Sequence, residues 1–156
     1  MAHLREQFLT RLSGTTLASL TTTGTRVEVA RTAPLAQDAS ATLLIDLGAE
    51  QIRPAEILRG RARIVERELE VIIRGAVKAV APSAGSSYLT ALNAIALEVE
   101  TAIGNDQSLG SLCKSVQLTA IDEPELEGAG EKTVAVVTLH FNILYLTALN
   151  APQTPR

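Results

Sequence analysis

The one concentration of side chains that could do chemistry is the stretch 122–131, DEPELEGAGE, which carries Asp122, Glu123, Glu125, Glu127 and Glu131. Paired carboxylates can shuttle a proton or hold a divalent ion. Here they are interleaved with Pro124, Gly128 and Gly130, without the regular spacing of a calcium loop. That pattern favours a solvated hairpin turn first. A surface that meets a basic partner, or lines a passage and repels DNA, comes second, and a metal or catalytic site last. The two histidines, His3 and His140, are far apart, and no Cys/His cluster has metal-ligand spacing. His140 falls on the mixed face of an extended stretch, where a lone imidazole reads as a hydrogen-bonded structural group. Cys113, the single cysteine, reads as a small core or near-core residue rather than a reactive thiol. No GxSxG element or phosphate-binding loop occurs, since GAGE lacks the Lys-Ser/Thr end. The residues thus offer no catalytic, cofactor or metal constellation. The five acids are candidates for contact with a partner or a channel.

The elements that must position them are easier to read. Thr133–Thr147, TVAVVTLHFNILYLT, alternates. Ala135, Val137, Leu139, Phe141, Ile143 and Tyr145 fall on one side of an extended backbone, and Thr138, His140 and Asn142 on the other. This is the period of a strand with one apolar face. With no Gly or Pro inside, nothing interrupts pairing on either edge, and a central strand of an antiparallel sheet is expected.

Earlier in the chain, Leu4, Phe8, Leu9 and Leu12 recur at helical spacing over residues 2–13, with Gly14 as a stop. So short a helix must dock its stripe on this chain's sheet or on a neighbouring subunit. Residues 15–25 read as a threonine-rich loop or edge, 26–31 as a short strand, and 32–41 as a loop long enough to be an arm. Thr42–Leu47 is a strand that Gly48 ends, and 49–60, with Pro54 and Gly60, has no clean period. From Arg61 an extended region begins whose apolar phase changes near Val65–Glu68, which predicts a bulge or tight turn there. Its second half alternates Arg67, Leu69, Val71 and Ile73 with Glu68, Glu70, Ile72 and Arg74.

A helix follows the loop at 81–87, capped by Ser86 or Ser87, with a stripe from Tyr88 through Leu92, Ile95 and Val99 to Ile103 and a close at Gly104. Cys113–Ile121 is a further strand. Grouped strands with two helices predict an α+β domain: an antiparallel or mixed β-sheet, with an N-terminal helix and one long helix packed on it, and a closing β-hairpin. The domain should span residues 1–148, with 149–156 as a loose C-terminal tail.

Composition bounds the rest. The 156 residues suit one domain with its own core. A formal charge of −3 argues against a general nucleic-acid binder, which would carry a basic patch. One cysteine excludes an internal disulfide framework and suits a reducing compartment. No apolar run approaches the roughly 20 residues needed to span a bilayer. The charged amphipathic start is not a secretory signal, so a cytoplasmic origin is expected.

Three segments together carry a resemblance: REQFLTRL near the start; ERELEVIIRGAV leading through a loop into YLTALNAIALEVETAI; and NDQSLGSLCKSVQLTAIDEPELEGAGEKTVAVVTLHFNILYLT. This order resembles the tail terminator (tail completion, minor tail) proteins of long-tailed bacteriophages and prophages. It covers residues 60–148 well and the N-terminal part weakly. Its marks are a strand–helix crossover, an LGSL turn, a strand into an acidic glycine-containing hairpin, and a last strand ending in aromatic-Leu-Thr. These are positional patterns and not catalytic signatures.

The resemblance implies a structural virion protein and not an enzyme, with no cofactor and no membrane. It would form a ring, usually a hexamer, that sits on the tail tube and ends its polymerisation. That ring would join the tail to the head-completion or neck proteins, with DNA passing through the centre. It would therefore locate to the head–tail joint of the virion. A head–tail stopper, a neck connector or a tail tube subunit is the nearest alternative. A small enzyme using the acidic segment, or a cytoplasmic ligand-binding domain, belongs to different classes.

Overall fold

The computed structural model describes residues 2–18, 20–21, 23, 27–29, 41–59, 62–79, 85–128, 133–149 and 151–155. Helix α1 (Leu4–Arg11) opens the chain and runs into a π-helical turn (Leu12–Thr16). Strands β1 (Val27–Val29), β2 (Thr42–Arg59) and β3 (Ala62–Lys78) follow, then helix α2 (Gly85–Asn105). Strands β4 (Ser115–Ile121), β5 (Glu125–Glu127), β6 (Val134–Ala148) and β7 (Ala151–Pro155) complete it.

The strands form one sheet in the order β1-β2-β3-β6-β4, with β5 and β7 also on β6. Only β1 is parallel to its neighbour, so the sheet is mixed. The expected α+β class is what the chain adopts.

Strand β6 is central, as its alternation predicts. It pairs with β3 along an unbroken register from Ile64↔Ala148 to Lys78↔Val134. Its apolar set, Ala135 to Tyr145, is buried against both helices, in one core with Leu69, Val71 and Ile73 of β3. Each such aliphatic side chain contributes roughly 1.5–3 kcal/mol on removal from water. Helix α2 lays Leu92, Ile95, Val99 and Ile103 on this face. It comes close because β3 has Gly75 beneath it: a Cβ there would sit 2.6 Å from Ile95 Cγ2. Helix α1 docks on the chain's own sheet, with the Phe8 ring edge-on to Tyr145 at 5.0 Å between centroids.

Several boundaries differ from those expected. Gly14 does not stop the first helix, because the π turn carries it on to Thr16 and buries Leu12. Gly48 does not end β2, which continues through Pro54 to Arg59. The irregularities fall in β2, between Leu47 and Glu50 and between Pro54 and Leu58, while β3 opposite stays regular. The phase change near Val65–Glu68 is therefore no bulge. Ile64 and Val65 are both buried, one on each face, and Arg67 keeps the core phase. The bulges in β2 carry the extra residues that obscured its period.

Ser86 and Ser87 lie inside α2, which already runs at Gly85. The tail is not loose: β7 returns to pair Thr147↔Pro155 and Ala148↔Ala151. The arm expected at 32–41 lies, apart from Ala41, outside the described residues.

The LGSL turn fastens α1 to the end of α2. Leu109, Gly110 and Ser111 all have positive φ, 46°, 68° and 72°. A run of left-handed residues is costly and needs support. Leu109 supplies it by full burial and Asp106 by its hydrogen bonds. The Asp106 carboxylate accepts from Gly110 N–H at 2.9 Å, Arg11 Nε at 2.9 Å and Thr16 Oγ1 at 2.8 Å. Burial alone would raise the Asp106 pKa, but these bonds outweigh it and hold the carboxyl below its ordinary value.

Candidate functional site

One face of the sheet is covered by helices. The other carries a lattice of polar side chains, because β3 places Glu66, Glu68, Glu70 and Arg74 at alternate positions opposite its core residues. On β6 the same face presents Thr138, His140 and Asn142. Glu68 accepts from Asn142 Nδ2 at 2.7 Å and meets Arg53 at 3.2 Å. Asp46 of β2 pairs with Arg74 at 2.8 Å. His140 is held on both nitrogens, Nδ1 3.1 Å from Glu70 and Nε2 3.0 Å from Asp122. The bonds to Asp122 and Glu70 raise its pKa against a smaller opposing effect of burial.

Between these rows lies a shallow depression of about 310 Å³, floored by Ala49, Gln51, Glu68, Glu70, Thr119 and Asn142. It contains two carboxylates, each already engaged by a cation, an amide or an imidazole. Among the described residues no group of three or more Asp, Glu, His or Cys is placed to hold a metal ion.

A second polar cluster lies under α1, on the covered face. Glu50 accepts from the Tyr145 hydroxyl and lies 3.5 Å from Arg67 Nη1 and 3.9 Å from Arg5. Arg67 Nε donates to Thr147 Oγ1 at 3.0 Å. Burial, then the hydrogen bond to Glu50, push the Tyr145 pKa well above the ordinary phenol value. Each charge in this cluster thus has a partner, without which its burial would be costly.

The five acids singled out from sequence are split. Asp122 belongs to the His140 clasp. Glu123, Glu125 and Glu127 are exposed, and Glu125–Glu127 is a strand on β6 rather than a flexible turn. Glu131 lies outside the described residues. Strands β4 and β5 both lie on the side of β6 away from β3, and no strand flanks them among the described residues. Along this edge Leu118 and Ile121, ahead of the acids, and Leu126, between Glu125 and Glu127, are exposed. An open edge with apolar side chains is a template for pairing with another chain.

The sequence pattern does not place Glu50, Glu68 and Glu70 in polar clusters, where the structure puts them. The alternating parity of Glu66, Glu68 and Glu70 was the available signal for the open face. Nothing local marked Glu50, whose inward orientation follows the bulge after Leu47.

No protein-family model and no curated protein matches this chain.

Proposed function

We propose that this chain is a structural virion subunit of the tail-terminator kind. Copies form a ring that caps the tail tube, ends its growth and joins the tail to the head-completion or neck proteins, with DNA passing through the centre. One observation carries the reading: among the described residues no strand covers the β4–β5 edge of the sheet, and that edge exposes Leu118, Ile121 and Leu126. A free-standing domain usually blunts such an edge, whereas a subunit needs it. The resemblance in sequence points the same way, since its best-covered segments supply β3, α2, β4, β5 and β6. The engaged state of the carboxylates on the polar face suits a scaffold better than an acid–base site.

Native mass measurement of the purified chain, alone and with isolated tail tubes, tests this. The expected result is a closed ring or a subunit that binds tube ends and blocks further growth, seen by electron microscopy. Growth of the chain alone into long tubes would make it a tube subunit instead. A chain that stays monomeric and ignores tube ends would overturn the proposal.

A further inference from the structure

On the polar face of the sheet the bonds at His140 can be counted. The ring stands between two carboxylates, with Nδ1 3.1 Å from Glu70 of β3 and Nε2 3.0 Å from Asp122, just past the end of β4. An ionised carboxylate only accepts, and an imidazole has two N–H donors only when it is charged. The neutral ring has one N–H and turns a lone pair towards its second partner. Both contacts therefore hold only with the imidazolium. The raised pKa of His140 agrees, with the bond to Asp122 its largest cause and the bond to Glu70 the next.

When the ring loses its proton one carboxylate must let go, and the two are not equally free. Glu70 sits within β3, and its carboxylate lies over Gly48 of β2, so close that a Cβ on that residue would collide with it. The Glu70 side chain is 36% exposed, against 55% for Asp122. Residues 122–124 have no regular structure, and they lead into β5, whose three residues are all exposed. Strand β5 rests on β6 through Glu125↔Val136, Leu126↔Ala135 and Glu127↔Val134, with no buried side chain of its own to anchor it.

The other charged groups on this face do not replace the ring. Arg74 of β3 is diagonal to His140 and is paired with Asp46 of β2 at 2.8 Å. Glu68 is taken up by Asn142 and Arg53. Strand β4 has no charged side chain, and its Thr119 hydroxyl donates to the His140 carbonyl. Further along the face, opposite Val136 and Val134, stand Glu125 and Glu127 of β5, with Lys78 of β3 beside Val134.

We propose that His140 is a pH latch for the β4–β5 connection: the charged ring pins Asp122, and with it β5, to the central strand, and loss of the ring's proton releases Asp122 and lets β5 come away from β6. Glu70 keeps the remaining N–H. The latch is independent of the ring reading of the whole protein.

Hydrogen exchange of the full-length chain, followed by NMR and corrected for the intrinsic pH dependence of exchange, tests it alongside the titration of the His140 ring in the same sample. Protection of the Glu125–Glu127 amides should fall about 10- to 100-fold as pH rises through that titration, the range expected for loss of a charge-assisted hydrogen bond. Central amides of β6, such as that of Phe141, should stay far better protected throughout. Asp122→Asn supplies an amide that accepts from the charged ring and, turned over, donates to the neutral one. In that variant the fall should vanish while circular dichroism stays that of wild type, and His140→Gln should remove it too. Protection that ignores the ring's titration in wild type overturns the latch, and so does a fall of undiminished size in Asp122→Asn.

Discussion

His140 Nε2 lies 3.0 Å from the Asp122 carboxylate, and this contact fastens the start of the acidic segment to the central strand. Glu70 holds the other ring nitrogen, so β3, β6 and the segment after β4 meet at one imidazole.

The sign of its pH dependence follows. The clasp raises the folded pKa of His140 above its ordinary value of 6.5. The stabilisation is fully present below that ordinary value and is lost as pH rises through the higher folded value. Urea midpoints should therefore fall as pH is raised across this window. In His140→Gln that part of the pH dependence should disappear. An NMR titration placing the His140 pKa at or below 6.5 would refute the clasp.

The Glu50 cluster should be the most sensitive polar site. Arg67→Ala leaves the largely buried Glu50 without its nearest cation and should cost about 3–5 kcal/mol in chemical denaturation. Tyr145→Phe removes only the hydroxyl donor and should cost about 1–3 kcal/mol. Because the Tyr145 pKa is raised, the folded chain keeps this phenol protonated through pH 10 while the unfolded chain does not. Stability should therefore decline above pH 10, and phenolate absorbance from Tyr145 should appear only with unfolding.

Gly75 should tolerate no side chain. Gly75→Ala forces Ile95 away from β3 and should destabilise by about 1–3 kcal/mol, the usual cost of overpacking. In a double-mutant cycle, Ile95→Ala should make Gly75→Ala much less costly, since the colliding methyl group is then gone. Additive losses would show that the two positions do not touch.

Cys113 should be a slow thiol. Burial first, then the nearby Asp106 charge, push its pKa up to about 11. At pH 8 only about a thousandth is then thiolate, against about a tenth for a thiol at the ordinary 9.0. Alkylation by iodoacetamide should run about 100-fold slower in the folded chain than in denaturant, and comparable rates would contradict this placement.

How much of this was legible varied with the range of the forces involved. Helix α2 and strand β6 announce themselves, because a long run of Leu, Ile and Val at one period can bury only one way. The sequence pattern of β2 stops at Gly48, because two bulges reset its parity and only pairing with β3 keeps it extended to Arg59. APQTPR has no period and so predicts a loose tail, yet β7 pairs with the end of β6 at Thr147 and Ala148. The strand pattern marks His140 as a hydrogen-bonded structural group, but its partners lie 70 and 18 residues away and no local pattern could name them.

By itself, then, the sequence determined the class of fold, the central strand and the stripe of each helix. These follow from periodicity, which each segment carries within itself. Tertiary structure alone decided that Glu125–Glu127 pairs with β6 as a strand, that the first carboxylate of the acidic segment is clasped by His140, and that Glu50 turns inward to Arg67 and Tyr145. Those outcomes depend on register between strands distant in the chain, and register is settled only when the faces pack together.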